Sequence, residues 1–151
     1  MLYRATRDGF SAEDFHKRCD NKSNTLTIIK STNGNIFGGY TDKAWMSDDE
    51  YHSDPNAFLF SLVNNDDIPF KVKVSSNGQT AIECHSSFGP SFGRGHDIHI
   101  SSDSNTNSSS HSKFGNTYKH PDYQYQSTEA QSILAGSRNF QTVEIEIYKK
   151  I

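Results

Sequence analysis

The sequence has few cysteines, no long apolar segment and no excess of basic residues. Its two cysteines, Cys19 and Cys84, show no C-x-x-C spacing, and so small a number favours a reducing compartment, with a Cys19–Cys84 disulfide as the less favoured alternative. Apolar stretches such as residues 57–60 fall far short of the roughly 20 residues that a bilayer-spanning helix needs. No apolar signal-peptide core follows Met1. A net charge of −3 argues against nucleic-acid binding. These absences predict a cytoplasmic protein without a membrane span.

What the sequence does contain is a set of short strand patterns separated by turn signals. A length of 151 residues is enough for one hydrophobic core. The aromatic fraction of 12% is too high for a disordered chain. Strand patterns occupy residues 2–7, 25–30, 36–41, 57–63, 70–74, 79–85, 97–101 and 140–147, and helix patterns begin at Ser11 and at Thr128. So many short strands with two short helices predict a mostly β single domain over residues 1–151, an antiparallel sandwich of two sheets.

Five local patterns make specific structural predictions. Ser11 and Asp14 have the spacing of a capping box, and the helix that they start is expected to end by Asp20 and to leave Cys19 half-buried. Asn33-Gly34 favours a type I′ hairpin turn, and residues 75–78 predict a second hairpin into the strand at 79–85.

The helix at 128–135 is expected to be capped by Thr128 and ended by Gly136. Seven of the twelve residues from 101 to 112 are serine, which predicts a flexible loop that buries nothing.

Two motifs have a catalytic or metal-binding interpretation that the surrounding pattern does not support. Residues 89–93 match G-x-S-x-G, but a nucleophile elbow needs a helix after Ser91, and here a strand pattern follows. His96 and His99 form an H-x-x-H pair, yet a three-residue spacing on a strand places side chains on opposite faces. We therefore interpret residues 89–93 as a structural loop and predict no metal site, no cofactor and no catalytic residue.

Trp45, the single tryptophan, and Cys19 are the residues whose roles the pattern leaves open. Trp45 lies in a polar loop, where it is either a partner-binding aromatic or a plug at the edge of the sandwich. Cys19 is the candidate for a redox role, because a thiol near charged residues can be reactive.

The ordered segments of the chain resemble a known family. The resemblance rests on LYRATRDGFS (2–11), TLTIIK (25–30), IFGGYT (36–41) with Trp45, AFLFSL (57–62), GPSFG (89–93) with Asp97, LAGS (134–137) with Phe140, and EIEIY (144–148). Together they are similar to the TLDc domain, the module of the oxidation-resistance proteins. Two departures are an arginine, Arg94, where many relatives have glycine, and the lack of the helical segment that precedes the first strand in long relatives. We therefore expect a domain excised from, or C-terminal in, a longer protein.

The resemblance implies a function as well as a fold. It implies a sandwich flanked by two helices and a monomeric, non-enzymatic interaction domain, linked to oxidative-stress resistance and to regulation of the assembly of the vacuolar-type proton ATPase. The alternatives are a thiol-based redox or other enzyme of the oxidative-stress response that uses Cys19, and a scaffolding module of a multidomain protein. Trp45, Phe92 and Arg94 are the candidate partner-binding residues, with Phe92 expected to point outward because glycines flank it.

Overall fold

The computed structural model describes residues 1–75 and 78–151. In these residues the elements are β1 (Tyr3–Arg4), α1 (Ala5–Asp8), α2 (Ala12–Cys19), β2 (Thr25–Ser31), β3 (Ile36–Thr41), β4 (Glu50–His52), β5 (Phe58–Val63), β6 (Phe70–Lys73), β7 (Ile82–Cys84), β8 (Phe88–Phe92), β9 (Ile98–Ser101), β10 (Ser110–His111), α3 (Thr128–Ile133), β11 (Asn139–Phe140) and β12 (Thr142–Lys149).

Two antiparallel sheets of six strands each form the fold. The first sheet has the order β1-β12-β2-β3-β5-β6, and the second has the order β11-β10-β9-β8-β7-β4. Buried apolar residues from both sheets and from α2 and α3 form one core between them. The predicted mostly β architecture with two antiparallel sheets is confirmed.

The first strand is shorter than predicted, because a helix that the pattern did not indicate follows it directly. Tyr3 and Arg4 pair with β12, and the chain then turns into α1 instead of continuing as a strand to residue 7. The carboxylate of Glu144 accepts the Thr6 amide at 3.1 Å, and that of Asp8 accepts the Arg4 amide at 3.0 Å. Glu144 is far from Thr6 in the sequence. No local pattern could therefore indicate that its carboxylate accepts an amide of the first helical turn.

The second helix agrees closely with its sequence signals. The Ser11 side chain accepts a hydrogen bond from the Asp14 amide at 3.0 Å, and the Asp14 carboxylate accepts the Ser11 amide, so the predicted capping box is confirmed. The helix ends at Cys19, as expected. Its inner face buries Phe15, His16 and Cys19, and Cys19 is fully buried rather than half-buried.

The hairpin of β2 and β3 is confirmed, but its turn is of another type. A type I′ turn needs positive φ at both central residues, and of Thr32, Asn33 and Gly34 only Gly34 has one, at +86°. The Gly34 amide donates to the Ser31 carbonyl at 3.0 Å. The turn is therefore a type I turn over Thr32 and Asn33, with Gly34 as the left-handed residue that follows.

Three further expectations change in the second half of the chain. The turn predicted at 75–78 includes Ser76 and Asn77, which lie outside the described residues, and the hairpin itself is wrong because β6 and β7 belong to different sheets. The predicted last strand is divided between the sheets, with β11 in the second and β12 in the first. The third helix begins at Thr128 as predicted, but its cap is the Ser127 side chain and not Thr128, and it ends at Ile133, before Gly136 with a φ of +92°.

The serine-rich segment from 101 to 112 contains buried side chains, contrary to expectation. Ser104, Ser110 and Ser112 have no exposed surface. Ser104 Oγ lies 2.6 Å from Thr142 Oγ1, and Ser112 donates to the Asp97 carbonyl at 3.0 Å. A small hydroxyl that finds a partner can be buried at little net cost, so composition alone gave the wrong prediction here.

Candidate functional site

Trp45 lies in the centre of the core and not on the surface. Its indole is fully buried and meets Phe15 and Phe92 edge to face, at centroid distances of 5.4 and 5.6 Å. The indole Nε1 donates to Thr25 Oγ1 at 2.9 Å. This burial contradicts an exposed partner-binding aromatic, and the indole fills space between the two sheets.

The expectation that Phe92 points outward is wrong, because both sheets enclose its ring. Phe92 is fully buried at the end of β8, where it pairs with Ile82 and Ile98. Gly39 of the first sheet faces it, and a Cβ at Gly39 would lie only 2.7 Å from the ring. The glycine that makes room for Phe92 is thus on another strand, which flanking glycines could not reveal.

Arg94 is the one predicted partner-binding residue that the structure exposes. It lies in the turn between β8 and β9, where its amide donates to Thr117 Oγ1 at 3.1 Å and its carbonyl accepts from Asn116 Nδ2 at 2.6 Å. It lines a polar depression of about 290 Å³ together with Lys119. Its role in partner binding stays a prediction.

Cys19 has none of the surroundings of a reactive thiol. It is a free cysteine with no exposed surface, and burial, together with the charges of Asp20 and Asp8, raises its pKa to about 12. Cys84 is also free and buried, and burial raises its pKa to about 12 as well. Because the thiolate is the nucleophile, burial and the raised pKa argue against redox chemistry at either cysteine, and the redox role of Cys19 stays a prediction.

The G-x-S-x-G segment forms strand β8 and the turn after it, so the predicted structural loop is wrong for residues 89–92. Ser91 is fully buried and its hydroxyl donates to the Gly89 carbonyl at 3.2 Å. His99 Nδ1 lies 3.5 Å from Ser91 Oγ. The chain continues through Gly93, with a φ of +83°, into a second strand, so the exposed strand-to-helix turn of a nucleophile elbow is not formed at this position.

His96 and His99 lie side by side, and the prediction of opposite faces is wrong. His96 is in the turn before β9, at a φ of +69°, so the alternation of a strand does not apply to it. Its Nε2 lies 2.8 Å from Glu83 Oε2, and its Nδ1 lies 3.2 Å from His111 Nε2. His111 Nδ1 is 3.0 Å from the Ser109 carbonyl, which can only accept. His96 thus joins Glu83 of β7 to His111 of β10 through its two ring nitrogens.

The surface that best fits a binding function is on the outer face of the first sheet, where the sequence motifs predict no site. One cross-strand row joins Tyr148, Leu26, Tyr40, Phe58 and Lys73, since each is paired with the next across β12, β2, β3, β5 and β6. We call these five residues the aromatic row. Its first four members are half-buried and line an open groove of about 410 Å³.

Lysines surround the aromatic row. Lys71 Nζ lies 4.0 Å from the centroid of the Phe58 ring, and Lys150 Nζ lies 6.0 Å from that of Tyr40. Lys149 also lines the groove. The Tyr40 and Tyr148 hydroxyls donate to Asp42 and Glu146, at 2.5 and 2.6 Å. These hydrogen bonds hold the two rings in place and raise the pKa of both phenols, that of Tyr40 to about 12.

The alternation in β2 is the signal that could have revealed this surface. Thr25 and Thr27 face the core with no exposed surface, whereas Leu26 and Ile28 face outward and are half-buried. An amphipathic strand normally points its apolar residues inward. The inverted pattern is readable in TLTIIK, but only once it is known which side of the strand is covered.

None of the helices in the described part of the chain is long and apolar enough to cross a membrane.

Comparison with known proteins agrees with this fold. A family model described as the TLDc domain matches residues 1–150. The chain is also similar to the MTOR-associated protein MEAK7 of Danio rerio, with 31% identity over 62 residues, which is 41% of this chain and 14% of that protein. The chain thus matches only a small part of that relative's length. Because the family model extends over nearly the whole sequence, with both sheets inside the match, the chain belongs to the TLDc domain family.

Proposed function

We propose that this chain is a protein-interaction domain that binds an acidic partner through the aromatic row, and that the partner is the soluble sector of the vacuolar-type proton ATPase, in the cytoplasm. TLDc domains are in general non-catalytic interaction modules. The ATPase partner and the link to oxidative-stress resistance come from the family resemblance. A relative named as MTOR-associated supports the broader class, binding to another protein.

The observation that carries this proposal is the apolar, aromatic outer face of the first sheet. Tyr148, Leu26, Tyr40 and Phe58 cross four adjacent strands, which is about 15 Å of sheet at the usual strand spacing. Tyrosine and phenylalanine are enriched at the centres of protein interfaces, where rigid rings contribute contact area at a low entropic cost. A partner that covered this row would remove their remaining apolar surface from water.

The charges around the row give the chemistry of the partner. Lys73 at the end of the row is exposed, as are Lys71, Lys149 and Lys150 around it. Asp42 and Glu146 are also nearby, but each accepts a hydrogen bond from a tyrosine hydroxyl, so four cations face solvent against two engaged carboxylates. Complementary charge at the rim of an interface increases the association rate and sets the orientation. An acidic surface with an apolar centre is the complement.

Binding to isolated soluble-sector ATPase tests the proposal. The purified chain is immobilised, and the captured soluble-sector subunits are quantified by mass spectrometry at two salt concentrations. The double variant Lys71→Glu/Lys150→Glu is expected to reduce capture at least tenfold, and Tyr148→Ser several-fold, with unchanged circular dichroism. The matched control Lys17→Glu/Arg138→Glu makes the same charge change at exposed basic residues elsewhere and is expected to bind normally.

The possible outcomes separate the surface from the partner. Equal loss in the test and control variants would show that net charge alone matters and would overturn the role of the row. If no variant of the aromatic row changes the amount of subunit captured, the interface lies elsewhere. Arg94→Ala then tests whether the turn between β8 and β9 is the interface. A folded chain that captures no soluble-sector subunit would overturn the ATPase as partner. Trp45 and Phe92, being buried, are proposed to affect binding only through the sheets that they support.

A further inference from the structure

At the free edge of the second sheet, three side chains of different donor type converge. Asp48 lies in the loop before β4, His52 ends β4, and Cys84 ends β7, the neighbouring strand. One ligand atom from each residue, a carboxylate oxygen, an imidazole nitrogen and the thiol sulfur, lies within 4.8 Å of the other two. We propose that Asp48, His52 and Cys84 form a binding site for a divalent transition-metal ion of the zinc class.

The backbone around the three residues is fixed by regular hydrogen bonds. Strands β4 and β7 pair with Glu50 opposite Cys84 and His52 opposite Ile82, and the Asp49 amide donates to the Cys84 carbonyl at 2.9 Å. The Glu50 amide donates to Asp48 Oδ1 at 3.2 Å, which leaves Oδ2 directed at His52 Nε2, 2.8 Å away. A site held by paired strands needs little reorganisation when an ion binds.

The donor set selects the class of ion. One sulfur, one nitrogen and one oxygen ligand suit zinc, which in tetrahedral sites takes bonds of about 2.0 to 2.3 Å. Ligand atoms in such a site lie about 3.3 to 3.8 Å apart, so the wider separations in the cluster need to contract by roughly 1 to 1.5 Å at most. The Asp48–His52 contact of 2.8 Å needs to open by roughly 0.5 Å. Three protein ligands leave the fourth position for water. Calcium and magnesium, which prefer oxygen ligands, do not match this set.

The electrostatic environment of Cys84 favours a cation next to the sulfur. The carboxylates of Asp48, Asp20 and Glu83 lie close enough to act on its sulfur electrostatically. The negative field of these carboxylates attracts a positive ion to the same place. When the ion binds, the S–H bond is replaced by a sulfur–metal bond and the proton passes to solvent. One thiolate and one carboxylate then neutralise the two charges of the ion.

Access to the site is from one side. The Asp48 and His52 side chains are 33% and 25% exposed, and Cys84 is fully buried behind them. A bulky substrate cannot reach the sulfur, which argues against the thiol–imidazole–carboxylate triad that these residue types also form in hydrolases. A single ion can reach the sulfur, because it first meets the exposed Asp48 carboxylate and His52 imidazole. The spacing of 48, 52 and 84 in the sequence gives no recognised metal motif, so only the strand pairing reveals the cluster.

Cobalt(II) titration of the reduced chain tests the site, because cobalt replaces zinc and reports its ligands by colour. We expect one ion per chain, the visible bands of tetrahedral cobalt and an ultraviolet thiolate-to-cobalt band, all removed by added zinc. Cys84→Ser is expected to abolish the ultraviolet band, whereas Cys19→Ser keeps it. His52→Gln and Asp48→Asn, which change partly exposed side chains, are expected to weaken binding at least tenfold, since even outer-shell partners of a metal contribute that much.

Matched controls distinguish this site from other histidine and carboxylate groups. Asp49→Asn with His85→Gln changes the neighbouring pair, 3.8 Å apart, and His96→Gln with His111→Gln changes the histidine cluster. Both double variants are expected to bind cobalt as the unmodified chain does. Zinc is also expected to raise the unfolding temperature of the unmodified chain but not that of folded His52→Gln. A missing ultraviolet band, a band lost in Cys19→Ser, or binding unchanged in His52→Gln and Asp48→Asn would each overturn the proposal.

Discussion

The imidazole rings of His96 and His99 stack with their centroids 4.6 Å apart and their planes 27° apart. His111 completes the group, with its centroid 4.7 Å from that of His99. His99 is 6% exposed, and burial, followed by the charges that His96, His111 and His85 can carry, lowers its pKa to about 3. A second proton on His99 is therefore strongly disfavoured in the folded chain.

This arrangement predicts that His99 makes the fold sensitive to acid. Unfolded His99 takes up a proton near pH 6.5, and folded His99 does so only near pH 3. Its contribution to the free energy of unfolding is complete above about pH 6.5 and falls by up to about 1.4 kcal/mol for each pH unit below that, down to pH 3. We expect His99→Leu to be less sensitive to acid than the unmodified chain, as measured by urea unfolding at pH 7.5, 5.5 and 4.5.

Two comparisons isolate the contribution of His99. Burial raises the pKa of Asp97 to about 6, so between about pH 6 and 4 its contribution to the free energy of unfolding increases as the pH falls, opposite to that of His99. Because Asp97 is present in both proteins, its contribution cancels in their difference. The control His120→Gln changes a more exposed histidine and should keep the original pH dependence. Equal slopes for His99→Leu and the unmodified chain would contradict the prediction.

Replacement of Trp45 is predicted to destabilise the fold. Trp45→Ala leaves a cavity between Phe15 and Phe92 and removes the donor to Thr25 Oγ1. Such a change in a core costs about 3 to 5 kcal/mol. Urea unfolding should show this loss, while Arg94→Ala at an exposed turn should stay within about 0.5 kcal/mol of the unmodified chain. A Trp45→Ala protein of normal stability would show that the indole is not a core residue.

Substitution by alanine is predicted to lower the free energy of unfolding by different amounts at two glycines of the first hairpin. A Cβ at Gly38 would lie 1.9 Å from the Thr27 carbonyl oxygen, so Gly38→Ala forces two paired strands apart. At Gly34 a Cβ would meet nothing within 4 Å, and only the φ of +86° is unfavourable. We expect a loss of at least about 3 kcal/mol for Gly38→Ala and about 1 kcal/mol for Gly34→Ala. Thermal unfolding gives the order, and the reverse order would contradict the strand pairing.

The buried thiols predict slow chemical modification. Cys19 and Cys84 have no exposed surface, and burial raises both pKa values to about 12. In metal-free buffer at pH 8, a chromophoric disulfide reagent is expected to modify neither cysteine in the folded chain and both in urea. Peroxide consumption should be the same for Cys19→Ser and the unmodified chain. Rapid reaction of Cys19 in the folded state would instead favour the redox enzyme that was the alternative interpretation.

The features that the sequence predicted are those whose causes are local. The Ser11–Asp14 capping box and the β2–β3 hairpin each depend on a few consecutive residues, and both are found. The end of the chain shows the limit of such patterns. Phe140 and Ile145 belong to different sheets, although the apolar pattern runs through both. Which sheet a strand joins depends on partners far away in the sequence, and no local period encodes it.

The candidate sites were missed for the same reason. The aromatic row takes its members from five strands, and the Asp48–His52–Cys84 cluster needs β4 to lie beside β7. Phe92 was expected on the surface because only its flanking glycines were considered, whereas Gly39 makes room for its ring. Side chains that meet across strands can be identified only after the pairing is known.

Strand β12 lies between β1 and β2, so the first sheet is continuous only after the last strand of the chain has been inserted into it. Tyr3 pairs with Ile147, and Ile147 pairs in turn with Thr27. During synthesis, residues 1–75 therefore have no complete sheet to join until residues 142–149 leave the ribosome. Such non-local pairing slows folding, to the millisecond-to-second range typical of sandwiches. Until then, the edges of β1 and β2 that β12 covers are unpaired, and unpaired strand edges are where wrong pairing and aggregation begin.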